Sequence, residues 1–74
     1  MSPARRVVVG VDVGSTSIKV QVLDLDGASL AIAATTTPLR DGSEGLFAEP
    51  DELRAAILAT VDDALAEAGR VEVV

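Results

Sequence analysis

Val7-Val8-Val9-Gly10-Val11-Asp12-Val13-Gly14-Ser15-Thr16-Ser17-Ile18-Lys19-Val20 carries the clearest structural signal in the chain. An apolar β-branched run ends in an acid, a glycine and three hydroxyl residues; a lysine and a second apolar run follow. β-Branched side chains suit the pleated surface of a sheet, so Arg6 to Val13 reads as a strand. Val7, Val9, Val11 and Val13 fall on one face and Val8 and Gly10 on the other, which predicts a strand buried on both sides and central in its sheet. Ser17 to Asp24 reads as a second strand, with Ile18, Val20 and Val22 on one face and Lys19, Gln21 and Leu23 on the other.

Outward from this pair, Pro3 disfavours regular structure over residues 1–5. Asp24-Leu25-Asp26-Gly27 is a turn, because Asp-Gly is a favoured hairpin pair. Ala28 to Thr37 reads as a third strand, closed by Pro38, and residues 38–49 as a polar loop. A helix begins at Glu49 or Asp51 with Pro50 in its first turn, runs to about Ala68 and stops at Gly69. Leu53, Ile57, Val61, Ala64, Leu65 and Ala68 form its packing stripe; Asp62, Asp63 and Glu67 lie away from it, and Asp51 and Glu52 suit its positive end. Val71 to Val74 reads as a strand barely begun, returned by the helix to lie parallel beside the first. The expected class is therefore α/β in β-β-β-α-β order: a three-stranded antiparallel sheet, one helix and the start of a parallel fourth strand. One helix covers one sheet face while the valine run asks for two, and the last strand stops without a turn or cap. Both features lead to the expectation of a piece of a larger molecule.

Composition narrows the function classes. A chain of 74 residues is one domain at most, and burying about 60% of its unfolded surface gives it a marginal core. Lys and Arg number 6 against 12 Asp and Glu, the net charge is −6, and Phe47 is the single aromatic. Without a basic stripe or a stacking surface, no nucleic-acid partner is expected. Cysteine and histidine are absent, which excludes disulfides, thiol nucleophiles and His- or Cys-ligated metal within this chain and is compatible with a cytoplasmic location. Arg5-Arg6 before an apolar run is faintly like a targeting start, but Asp12 cuts the run far short of a bilayer span, so no membrane partner is expected.

The first hairpin loop is where chemistry concentrates. Gly14 permits a tight loop and close approach of the backbone to a ligand. Successive loop amides form anion-binding nests, Ser15, Thr16 and Ser17 add hydroxyl donors, and Lys19 adds a positive charge. Asp12, at the strand end, suits an outer ligand of Mg²⁺ through water, since Mg²⁺ keeps much of its hydration shell. Two plainer readings stand beside this one. Asp12 could make an Asx-turn, and Lys19 could be a charge protecting an edge strand. The loop is not a Walker A or Rossmann motif, because a strand rather than a helix follows it.

Gly10 to Val20 resembles the first phosphate motif of the actin, hexokinase and heat-shock chaperone superfamily, and within it most resembles the FGGY carbohydrate kinases, such as xylulokinases, gluconokinases and glycerol kinases. The resemblance continues through Leu23-Asp24 and Asp26-Gly27. Gly45-Leu46-Phe47-Ala48-Glu49-Pro50-Asp51-Glu52-Leu53 is similar to the family's Gly-Trp-x-Glu-x-Asp-Pro-x-x-Trp segment, though without tryptophan and one residue short. The resemblance implies that residues 1–74 are the N-terminal portion of the first domain of such a kinase. The fold would be part of a ribonuclease H-like, actin-like ATPase domain, with no second domain present. It implies ATP and Mg²⁺ as cofactors, with Gly14, Ser15, Thr16 and Ser17 as phosphate loop, Lys19 as basic phosphate neighbour and Asp12 as the Mg²⁺-associated acid. The family's sugar-contacting residues, its catalytic aspartate and its adenosine motifs have no counterpart here, so no catalytic residue is assigned.

The leading expectation is the phosphate-binding segment of an ATP-dependent sugar or polyol kinase, inactive alone. Its partners would be a small sugar or polyol in the full-length parent, and the remainder of the kinase chain or a second copy. A second reading is part of another actin-like ATPase, of the dehydratase-activator or pilus-assembly type, which carry similar loops. A third is a small non-catalytic interaction domain whose unpaired edges need a partner.

Overall fold

The valine run becomes the longest strand of a mixed sheet. The computed structural model describes residues 4–74, so of the irregular start expected over residues 1–5 the part at 1–3, Pro3 included, lies outside the described residues, while Arg5 is already in a strand. The elements are β1 (Arg5–Val13), β2 (Ser17–Asp24), β3 (Ser29–Thr36), β4 (Arg40–Gly42), β5 (Gly45–Phe47), α1 (Pro50–Ala68) and β6 (Val71–Val73). The chain is α/β: a four-stranded sheet in the order β3-β2-β1-β6, one helix, and a separate β4–β5 hairpin. β1, β2 and β3 are antiparallel, and β6 returns parallel to β1 over Arg5–Val7.

Register decides what each face carries. Val9 lies opposite Val22, Val11 opposite Val20 and Val13 opposite Ile18, while Val20 and Val22 face Ala33 and Ala31. Side chains alternate along a strand, so these residues share one face, and Asp12, Lys19 and Gln21 share the other. The turn after β2 is held by Asp24, whose carboxylate accepts from the Asp26 and Ala28 amides at 2.9 Å each. Gly27 supplies the positive φ of 91° that this turn requires.

Glu49 caps α1: its side chain accepts from the Glu52 amide at 2.9 Å, and Pro50 follows where an amide would have no partner. Gly69, at φ 85°, ends the helix. The core joins Val7, Val20, Val22, Ala31 and Ala64, with Val61, Leu65, Ala68 and Val71 packed against it. Thr60, at the centre of the buried helix face, was outside the expected apolar stripe. Burial leaves its hydroxyl one local acceptor, the Ala56 carbonyl at 2.7 Å.

Three expectations need correction. The valine strand is not buried on both sides: Val8 is 40% exposed, and Val11 and Val13 46% each. The cause is the placement of α1, which packs on β3 and β2 and leaves the outer half of β1 uncovered even on its own side. The polar loop at residues 38–49 contains the β4–β5 hairpin, with Arg40 opposite Phe47 and Gly42 opposite Gly45. Strand limits shift slightly, β1 starting at Arg5 and β3 spanning Ser29–Thr36. No helix among the described residues is long and apolar enough to cross a membrane.

Candidate functional site

Two sheet strands and the return of a third build the loop that the sequence singled out. β1 delivers Asp12 and β2 delivers Lys19, and the antiparallel register sets them directly opposite each other on the exposed face. Cross-strand partners have Cβ atoms about 5 Å apart. Yet the two charges make no ion pair with each other: among the described residues the ion pair is Arg40 with Glu52, at 2.6 Å. Both charged groups are therefore left for solvent or a ligand. With Gly10, Val11 and Gln21 they line an open depression of about 280 Å³. Gln21 lies opposite Gly10 and was not singled out by the sequence.

Gly14, Ser15 and Thr16 form the connection at the tip of this face, and Ser17 opens β2; all four are exposed. The Gly14 amide donates to the Ser17 carbonyl at 2.9 Å. Among the described residues, the reciprocal bond from the Ser17 amide to the Gly14 carbonyl is not made, and the Ser15 and Thr16 amides have no backbone or side-chain acceptor. The role expected of Gly14 changes in kind. Its φ is not in the left-handed region; what favours glycine is space, because a Cβ there would sit 3.3 Å from the Ser17 carbonyl oxygen.

The plainer readings fare poorly at both charged positions. β2 is an interior strand, flanked by β3 and β1, so Lys19 is no edge charge. The Asx-turn belongs to Asp24; among the described residues the Asp12 side chain accepts no backbone amide. Among those residues, too, no three acidic, histidine or cysteine side chains converge, which leaves Asp12 the single carboxylate at the loop.

One contributor was missed in the sequence. Thr37, just past β3, is buried; its amide donates to the Thr16 carbonyl at 3.0 Å and its hydroxyl to the Gly14 carbonyl at 2.7 Å. A threonine run before a proline marks only a strand end, and no local signal ties it to a loop 23 positions earlier. No protein-family model matches the chain, and no curated protein matches it.

Proposed function

We propose that this chain is the N-terminal, phosphate-binding part of an ATP-dependent carbohydrate kinase of the FGGY type, an actin-like ATPase that phosphorylates a sugar or polyol hydroxyl. The observation that carries the reading is the pairing of Asp12 with Lys19 across β1 and β2, both uncommitted, beside a loop with amides to spare. Phosphoryl transfer rests on positioning and electrostatics rather than on covalent chemistry by the protein, and these residues are suited to that task. ATP supplies the phosphoryl group when bound. The Ser15, Thr16 and Ser17 amides and hydroxyls would hold its phosphate oxygens, Gly14 would keep the loop tight, and Lys19 would offset their charge.

The donor set also fits Mg²⁺ held at a distance. That ion usually keeps several waters and takes one or two carboxylates, and Asp12 offers one acceptor for its hydration shell. No residue here is assigned as the base, so the chain alone is read as inactive. The open face of the sheet and the outer edge of β1 beyond Val7, which β6 does not pair, are read as places for the remainder of a kinase chain or for a second copy.

Calorimetric titration of the chain with ATP, with and without Mg²⁺, tests the assignment. Lys19→Met is expected to weaken both forms about tenfold, since it removes a charge-assisted bond to phosphate. Asp12→Asn is expected to weaken Mg·ATP but to leave metal-free ATP equal or tighter, because the substitution also removes a repelling charge. Identical affinities in the parent chain and both variants would remove these residues from the site.

A further inference from the structure

Thr37 spends both of its backbone-directed bonds on one loop, the amide on the Thr16 carbonyl and the hydroxyl on the Gly14 carbonyl. A trans peptide holds its C=O and N–H on opposite sides of one plane, and every described peptide is trans. A carbonyl drawn toward Thr37 therefore sends the amide of the next residue the other way. The Gly14 carbonyl turns the Ser15 amide away from Thr37, and the Thr16 carbonyl turns the Ser17 amide away likewise. In a tight hairpin the Gly14 carbonyl would accept the Ser17 amide and close the loop with a reciprocal pair. Here the Thr37 hydroxyl takes that carbonyl at 2.7 Å, and only the Gly14-to-Ser17 half of the pair is made, at 2.9 Å.

We propose that Thr37 is a positioning residue for the loop: by holding the Gly14 and Thr16 carbonyls it frees and aims the Ser15 and Ser17 amides at an anionic ligand. Thr37 touches no ligand itself. It is 6% exposed, so losing the 2.7 Å bond to the Gly14 carbonyl would leave a largely buried hydroxyl poorly satisfied. The inference rests on the phosphate reading of the loop and adds to it the device that sets the direction of its donors.

The test uses the 74-residue chain, amide NMR and inorganic tripolyphosphate as probe. In the parent chain, tripolyphosphate is expected to shift the Ser15, Thr16 and Ser17 amides and to leave the Gly14 amide, already bonded to Ser17, in place. Thr37→Val keeps the side-chain shape and deletes the hydroxyl; its affinity is expected to fall about tenfold, with a Ser17 amide newly protected from exchange by the Gly14 carbonyl. Thr37→Ser restores the hydroxyl and is expected to recover most of the affinity, which a purely space-filling role would not allow. If the parent binds and Thr37→Val binds equally well, the positioning role is overturned while the phosphate site stands. If the parent shows no shift in the loop, the phosphate reading falls and this inference with it. Should Thr37→Val not fold, the parent titration still decides: a moving Gly14 amide with still Ser15 and Ser17 amides overturns the assigned directions.

Discussion

At the scale of single residues, the loop shows how glycine can be required for two different reasons. Gly27 is demanded by its φ of 91°, with nothing within 4 Å of where a Cβ would stand. Gly14 has an ordinary φ, and its constraint is the Ser17 carbonyl oxygen 3.3 Å from a would-be Cβ. Alanine at the two sites should therefore fail differently. Gly27→Ala is expected to cost about 1–2 kcal/mol of stability, the strain of a left-handed side chain, and to leave ATP affinity unchanged. Gly14→Ala is expected to cost under about 1 kcal/mol, because the loop need open only slightly to weaken one hydrogen bond. If the loop binds ATP as proposed, the larger effect should be on that affinity, which should fall severalfold as the loop amides are displaced. Urea denaturation and calorimetric titration of both variants check the contrast. Stability loss without affinity loss at Gly14 would detach the loop from the ligand.

At the scale of elements, the β4–β5 hairpin is tied to the helix by one fork. The Arg40 guanidinium donates to both Glu52 carboxylate oxygens, at 2.6 and 2.9 Å. Its hydrogen bonds and charge hold the Glu52 carboxyl below its usual range, and Glu52 in turn raises Arg40. A carboxylate with a lowered folded pKa stabilises above its unfolded pKa and loses that contribution as pH falls through the folded value. Arg40 stays charged throughout, so acid releases the tether and neutral or mildly alkaline pH keeps it. Chemical shifts of the Arg40 Nε–H and the hairpin amides should titrate together, with a midpoint below that of an ordinary glutamate. Glu52→Gln should abolish this transition while leaving the sheet amides unmoved; hairpin shifts independent of pH would show that the fork orients nothing.

The same hairpin marks where sequence reading stops. β1, β2 and α1 were legible because each carries a periodic apolar pattern long enough to state its period, and Asp12 and Lys19 followed from where the two strands meet. Arg40 to Phe47 carries no alternation, only glycines around Ser43-Glu44, so composition read it as loop. Burial was misjudged in β1 because valine records a preference for strand and not the reach of one helix across the sheet. Thr37 was invisible for a further reason. Its partners are set by the register of β3 on β2, a long-range fact that no local window contains.

At the scale of the whole molecule, the chain is long and thin. Its radius of gyration is 14.6 Å and its principal extents are 56 × 19 × 17 Å, whereas a compact domain of this length has a radius near 11 Å. The core is correspondingly slight: Val7, Ile18, Val20, Val22, Ala31 and Ala64 are the buried apolar residues among those described. β6 pairs with β1 only at Arg5, Arg6 and Val7, so the outer edge of β1 from Val8 to Val13 remains a row of backbone donors and acceptors under exposed valines. Such an edge templates strand addition, and a lysine on it is a known guard against pairing. In isolation the chain should therefore self-associate, with a sedimentation coefficient that rises with concentration. Val11→Lys places a charge on the free edge and should shift the population toward monomer. Leu46→Ser, on the projecting hairpin, should leave it unchanged. Sedimentation velocity across a concentration series separates these outcomes: a parent chain that stays monomeric and unfolds cooperatively would make it an independent domain, and association indifferent to Val11→Lys would move the contact away from β1.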